Sequence, residues 1–305
     1  MRLDRTLRSC ASIPMKACVR FLIPCIIAST LSGARADLKV ASLSTITTDL
    51  ARQIGGTNVS VTGIIRPGID PHEFEPTPGD VKTVADADLV LLTGKGMEGY
   101  LTKLEEAAGG SVKFVNVGKD IPSLTLSEEG KKIEDPHWWH SVANMKQATR
   151  VVAEAFEKKD PSNADSYRKN ESSYLSSLTD LERWIRVKLS ELPRDRRKLV
   201  TSHDALGYFA RDYGFTIYPV KGVNTNEDPS SQHVKQIITV IRQQGVKSVF
   251  FETIENPRAV TQISTETGAR AGGTLYSDGL GDTLEGNTYD AMMRHNVDAI
   301  VDGLK

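Results

Sequence analysis

The sequence predicts an α/β protein of two lobes, each a mostly parallel sheet flanked by helices, joined by one long rigid helix with a cleft between the lobes. Three observations carry this. Strand-like apolar runs alternate with helical patterns over residues 38–118, the order of a parallel sheet with crossover helices. The same alternation resumes at residue 198. Between the two blocks, Asp160 to Pro193 contains no glycine and no strand candidate.

In order, LKVASLS leads into TITTDLARQIGG, and VSVTGII leads into the loop PGIDPHEFEP and then TPGDVKTVADA. DLVLLTG leads into GMEGYLTKLEEAAGG, and VKFVNVG follows. The central stretch places Tyr167, Tyr174, Leu178, Leu181, Ile185, Leu189 and Leu192 at helical spacing. Asp160 suits its N-cap and Pro161 its first turn. The second block reads KLVTS, HDALGYFARDYG, FTIYPV, HVKQIITVIRQQG, VKSVFFE, NPRAVTQISTETGA and RAGGTLYS. The predicted boundaries are a leader at 1–36, a first lobe at 37–159, a linking helix at 160–193 and a second lobe at 194–305.

The leader has the composition of a signal peptide. Five arginines and Lys16 stand with the apolar run FLIPCIIASTLSG and the small-residue pattern ARA before Asp37. That run is too short for a comfortable membrane span. Pro24 precedes Cys25 where a lipid-attachment site would have a small residue. The leader's net charge is +5, so of the chain's −1 a balance of −6 falls on residues 37–305. No large basic surface is implied, which argues against nucleic acid as a partner. All three cysteines (Cys10, Cys18, Cys25) lie in the leader. A metal site in the remainder must use nitrogen and oxygen.

The tripeptide Asp-Pro-His occurs twice, ending at His72 and at His137, in a chain with six histidines. Each proline stiffens the backbone before the histidine and pushes the preceding residue to an extended conformation, so little freedom is lost when the imidazole binds a metal. His72 falls after a strand, at the sheet edge where open α/β folds gather ligands. His203 follows KLVTS at the corresponding edge of the second block, and Asp278 follows RAGGTLYS. The pattern is two ligands per lobe. Three imidazoles and one carboxylate suit Zn²⁺ in a tetrahedron, whereas Mn²⁺ prefers more oxygen. Asp278, on a glycine-bordered loop, is the ligand expected to move on release. His140, three residues after His137, is placed as an outer group, an auxiliary ligand or a cap, and His233 and His295 as surface or packing residues. Trp138 and Trp139 are expected to wall the cleft. Gly94, Gly96 and Gly99 spell G-x-G-x-x-G, but on the third strand rather than the first, which favours a tight helix-packing turn over a dinucleotide site.

DPHEFEPTPGDVKTVADADLVLLTGKGMEGYL, EDPHWWHSVANMKQA, TSHDALGYFARDYGF and the final SDGLGD together resemble the cluster A-I metal-binding, zinc-type solute-binding proteins of bacterial ABC transporters. The likeness runs over nearly the whole chain after the leader. It implies two lobes on a rigid helix, His72, His137, His203 and Asp278 as ligands to one transported ion, and no enzymatic activity. It further implies a periplasmic monomer that hands Zn²⁺, or Mn²⁺ as runner-up, to an ABC permease in the inner membrane. Zinc-type members often carry a His-rich loop where residues 119–134 lie. Here that loop has no histidine, so a periplasmic metallochaperone becomes the more natural donor. The rival is a secreted zinc hydrolase with Glu73, Glu75 or Asp204 as base, which would need Asp278 to be free of the metal. Neither H-E-x-x-H nor G-x-S-x-G is present to support it. An adhesin on the same scaffold is a third and weaker reading.

Overall fold

The computed structural model describes residues 37–110, 112–128, 131–223, 225 and 228–305. The leader lies outside them. The first sheet has the order β2-β1-β3-β4, all parallel, with β1 at Leu38–Ser42, β2 at Val59–Gly63, β3 at Leu89–Leu92 and β4 at Phe114–Asn116. Every residue of β3 is buried, as expected for a strand covered on both faces. The helices of this block are α1 (Thr45–Gly55), α2 (Pro78–Ala85) and α3 (Leu101–Ala108). Ser44 caps α1 by accepting from the Thr47 N–H. Thr77 and Asp80 form a capping box on α2, with Pro78 in its first turn.

A short antiparallel hairpin follows, β5 (Thr125–Glu128) with β6 (Lys131–Glu134). Then come α4 (Val142–Lys159) and α5 (Ala164–Leu189). The joining helix α5 is 26 residues long, about 39 Å at 1.5 Å per residue. It is shorter than the predicted 160–193 for identifiable reasons. Asp160 ends α4, and Pro161–Asn163 form a 3₁₀ turn rather than the first α-turn. Asp160 does not cap α5. Its carboxylate accepts from Ser162 Oγ, Asn163 Nδ2 and Tyr167 OH. At the far end Arg197 donates to the carbonyl of Leu189, an acceptor left open as the helix stops, and to those of Leu192 and Tyr213.

The second sheet is also parallel, with order β10-β9-β7-β8. Its strands are β7 (Lys198–Thr201), β8 (Thr216–Pro219), β9 (Ser248–Glu252) and β10 (Arg270–Leu275), and its helices α6 (Gly207–Tyr213), α7 (Ser231–Gln244), α8 (Arg258–Thr267) and α9 (Tyr289–Leu304). One hydrophobic core runs through both lobes. It joins Leu50 and Ile54 of α1, Phe156 of α4, Leu181 and Ile185 of α5, Phe250 of β9 and Ile300 of α9. Two smaller cores cover the outer faces of the sheets. A shared, close-packed core resists sliding of one lobe over the other.

Candidate metal centre

Both sheets point the carboxyl ends of their strands at the same crevice, and the four sequence-predicted residues meet there. His72, His137, His203 and Asp278 each offer one ligand atom, all within 4.8 Å of one another. Four separations are close to those a tetrahedral ion demands. His72 Nε2 lies 3.2 Å from His137 Nε2. Asp278 Oδ1 lies 3.0 Å from His137 Nε2, 3.2 Å from His203 Nε2 and 3.5 Å from His72 Nε2. A tetrahedron with metal–ligand bonds of ~2.0–2.1 Å has edges of ~3.3–3.4 Å.

Local structure aims each ring. In both Asp-Pro-His segments the aspartate accepts the backbone N–H of the histidine two residues on, at 2.8 Å for Asp70 and His72 and 2.9 Å for Asp135 and His137. These are Asx turns. Asp135 Oδ1 also takes His137 Nδ1 at 2.9 Å, which turns Nε2 towards the crevice. Glu252, at the end of β9, does the same for His203. It accepts the N–H groups of Ser202 and His203 and holds His203 Nδ1 at 2.5 Å. Carboxylate-backed imidazoles of this kind fix the tautomer and raise ligand basicity. Sequence reasoning missed Glu252, which stands 49 residues from its histidine with no motif to tie them. Asp135 lay in the quoted motif, but its grip on the ring could not be read from spacing.

Charge is concentrated here. Burial works against protonated His137, but hydrogen bonds to Asp135 and Asp278 override it and raise its pKa to about 9. His203 is likewise held well above the ordinary imidazole range, against its burial, by the charges of Asp278 and Glu252. Burial opposes the Asp278 carboxylate, yet the charge of His203 and the hydrogen bonds from His137 and His203 keep it well below the usual carboxylate range. Without metal, the cluster holds protons where an ion would sit.

The other histidines take no part in the cluster. His233 Nε2 faces the Pro219 carbonyl and His295 Nε2 the Thr274 carbonyl. His140 is buried and bonds the Ser277 carbonyl at 2.8 Å, beside Asp278. Burial and the charge of His137 push its pKa down to about 4, so it is neutral. Trp138 and Trp139 are fully buried rather than facing an open cleft, and their indole N–H groups donate to Thr93 O and Ser277 O. The expectation that Asp278 is the mobile ligand meets an opposing geometry. Asp278 is 4% exposed, and its loop is pinned by Asn296 to Tyr276 and by Thr45 to Leu280. His72 is the cluster member that is not fully buried, and it lines a cavity of about 320 Å³ with Lys95, Gly96, Ile133, Glu134, Pro136 and Val223. The glycine-rich turn is closed to phosphate, because the Thr93 and Gly94 N–H groups already donate to the Glu98 carboxylate. A Cβ on Gly94 would come within 2.1 Å of the Asn116 side chain.

Two parallel-sheet lobes on a long helix, with an imidazole–carboxylate cluster in the crevice, define a metal-binding substrate-binding protein of the ABC-transporter class. The profile of the ZnuA family, described as zinc-uptake complex component A, periplasmic, matches residues 40–303. The chain belongs to that family, whose members are transport proteins and not enzymes. It is 34% identical over 284 residues to the manganese-binding lipoprotein MntA of Bacillus subtilis, covering 90% of this chain and 92% of that one. It is 32% identical over 285 residues to the manganese ABC transporter substrate-binding lipoprotein PsaA of Streptococcus pneumoniae, covering 90% and 91%. The periplasmic zinc-binding protein TroA of Treponema pallidum superposes with a TM-score of 0.83 at 31% identity, over 88% of this chain and 99% of that one.

Proposed function

We propose that this protein captures Zn²⁺ with His72, His137, His203 and Asp278 and presents it to an ABC permease for uptake. The observation that carries the reading is the donor set: three imidazole nitrogens and one carboxylate oxygen within 4.8 Å of one another, four of the separations lying between 3.0 and 3.5 Å. Borderline-soft zinc accepts that set, while manganese favours more oxygen and a higher coordination number. Four protein ligands close the site, which suits carriage rather than hydrolysis. Residues 1–36 act as a cleaved signal peptide, which delivers the carrier to the periplasm. With no histidine in residues 119–134 to gather zinc, a periplasmic metallochaperone is the fitting donor.

Manganese is the second reading, favoured by relatives whose names state manganese binding. Elemental analysis of protein isolated from the periplasm, followed by direct Zn²⁺/Mn²⁺ competition, separates the two. Zinc as the bound metal, with tighter binding than manganese in direct competition, is expected. Manganese in the isolated protein together with comparable affinities would overturn the zinc reading.

A further inference from the structure

Asp278 comes from the second lobe, but the groups that hold its loop come partly from the first. The Ser277 carbonyl accepts two hydrogen bonds from the segment that carries His137, from Trp139 Nε1 at 3.0 Å and His140 Nε2 at 2.8 Å. All three residues are at most 1% exposed, so water has little access to replace either donor. On the other side of the same residue, Ser277 Oγ makes a long contact of 3.2 Å with Asp278 Oδ2. The three imidazole Nε2 atoms converge on the other oxygen, Oδ1. The carboxylate thus presents one oxygen to the site and accepts a hydrogen bond from the preceding residue's hydroxyl on the other.

We infer that His140 and Trp139 are positioning residues: by clamping the Ser277 carbonyl from the opposite lobe they hold Asp278 as a one-oxygen ligand and keep the site four-coordinate. The consequence is selectivity. A carboxylate free to rotate can offer both oxygens to one ion, as in harder-metal sites, and each added oxygen favours manganese over zinc. His140 acts through its ring N–H and does not touch the ion. This inference rests on the ligand set proposed above.

The test uses the full mature protein with zinc or manganese alone as probe. His140→Leu removes the donor at similar bulk, and His140→Gln keeps an N–H donor at a similar reach. His140→Leu is expected to weaken zinc binding by ~10–100-fold, the range for losing an outer partner. It is expected to weaken manganese binding less, so that the zinc/manganese preference falls about tenfold. X-ray absorption should show an added oxygen in the metal shell. His140→Gln should restore both preference and shell. A merely structural role would lower both affinities together and leave the coordination number alone. If His140→Leu matches wild type in preference and shell, or if His140→Gln is as impaired as His140→Leu, the clamp is refuted. Should His140→Leu fail to fold, Trp139→Phe removes the second donor and is judged by the same readouts. A wild-type shell lacking the carboxylate oxygen would refute the ligand set and the clamp together. A wild-type shell containing it, unchanged in both variants, refutes the clamp alone.

Discussion

The two Asp-Pro-His segments share a tripeptide and an Asx turn but not a setting. At His137 the aspartate holds both the backbone N–H and the ring, and the side chain is fully buried. At His72 the aspartate's first oxygen holds the backbone N–H, and its second accepts a 2.7 Å hydrogen bond from Thr225 of the second lobe. His72 then faces the cavity beside Lys95 and Glu134. The motif therefore fixes the backbone in both places, and the surroundings decide the role. His137 is the anchor. His72 is the arm that lines the cavity, and its backbone is tied to the second lobe through Asp70 and Thr225.

The largest break in this comparison is removal of the anchor itself. His137→Ala is expected to reduce zinc affinity by more than the ~10–100-fold typical of losing an outer partner, as measured by competition with a chelator. Asp135→Asn spares the imidazole but weakens its support. Its expected loss is within that ~10–100-fold range, with the fold retained by circular dichroism. An Asp135→Asn protein that binds zinc like wild type would remove the distinction between the two arms.

Proton linkage sharpens the same contrast. Metal must displace the protons held on His137 and His203. Zinc affinity is therefore expected to rise about tenfold per pH unit for each proton displaced, up to pH about 9 where His137 loses its proton. The metal-free protein behaves oppositely. A pKa raised on folding stabilises fully below the unfolded imidazole value of ~6.5, and that contribution is lost as pH rises through about 9. Melting temperature should fall over that window without metal and not with zinc bound. Parallel curves would contradict the protonation assigned to His137.

The smallest expected effect is on the His72 arm. Thr225→Val deletes one hydrogen bond to Asp70, worth ~0.5–1.5 kcal/mol. Zinc dissociation in stopped flow should quicken by roughly 2–12-fold, with the same metal shell at equilibrium. An unchanged dissociation rate would show that His72 does not depend on the second lobe.

Most of this architecture was legible because parallel βα units write it in alternation, as in VSVTGII or DLVLLTG. The hairpin of β5 and β6 was not, because its apolar content in the pairing is Leu126 opposite Ile133, set among charged residues. The four converging side chains were legible through the repeated tripeptide and their places at strand ends. Their supports were not. Glu252 reaches His203 only through the register of β9 beside β7, and the bond from His140 to Ser277 spans 137 residues. The proline of each tripeptide predicts a rigid arm, but only the packing around Thr225 and Trp139 distinguishes the two arms.

Anomalous diffraction at the zinc absorption edge from crystals of the zinc-loaded protein tests the central claim most directly. One strong peak is expected within ~2.0–2.2 Å of His72 Nε2, His137 Nε2, His203 Nε2 and an Asp278 carboxylate oxygen. A peak elsewhere, or one bonded to fewer than three of these side chains, would contradict it.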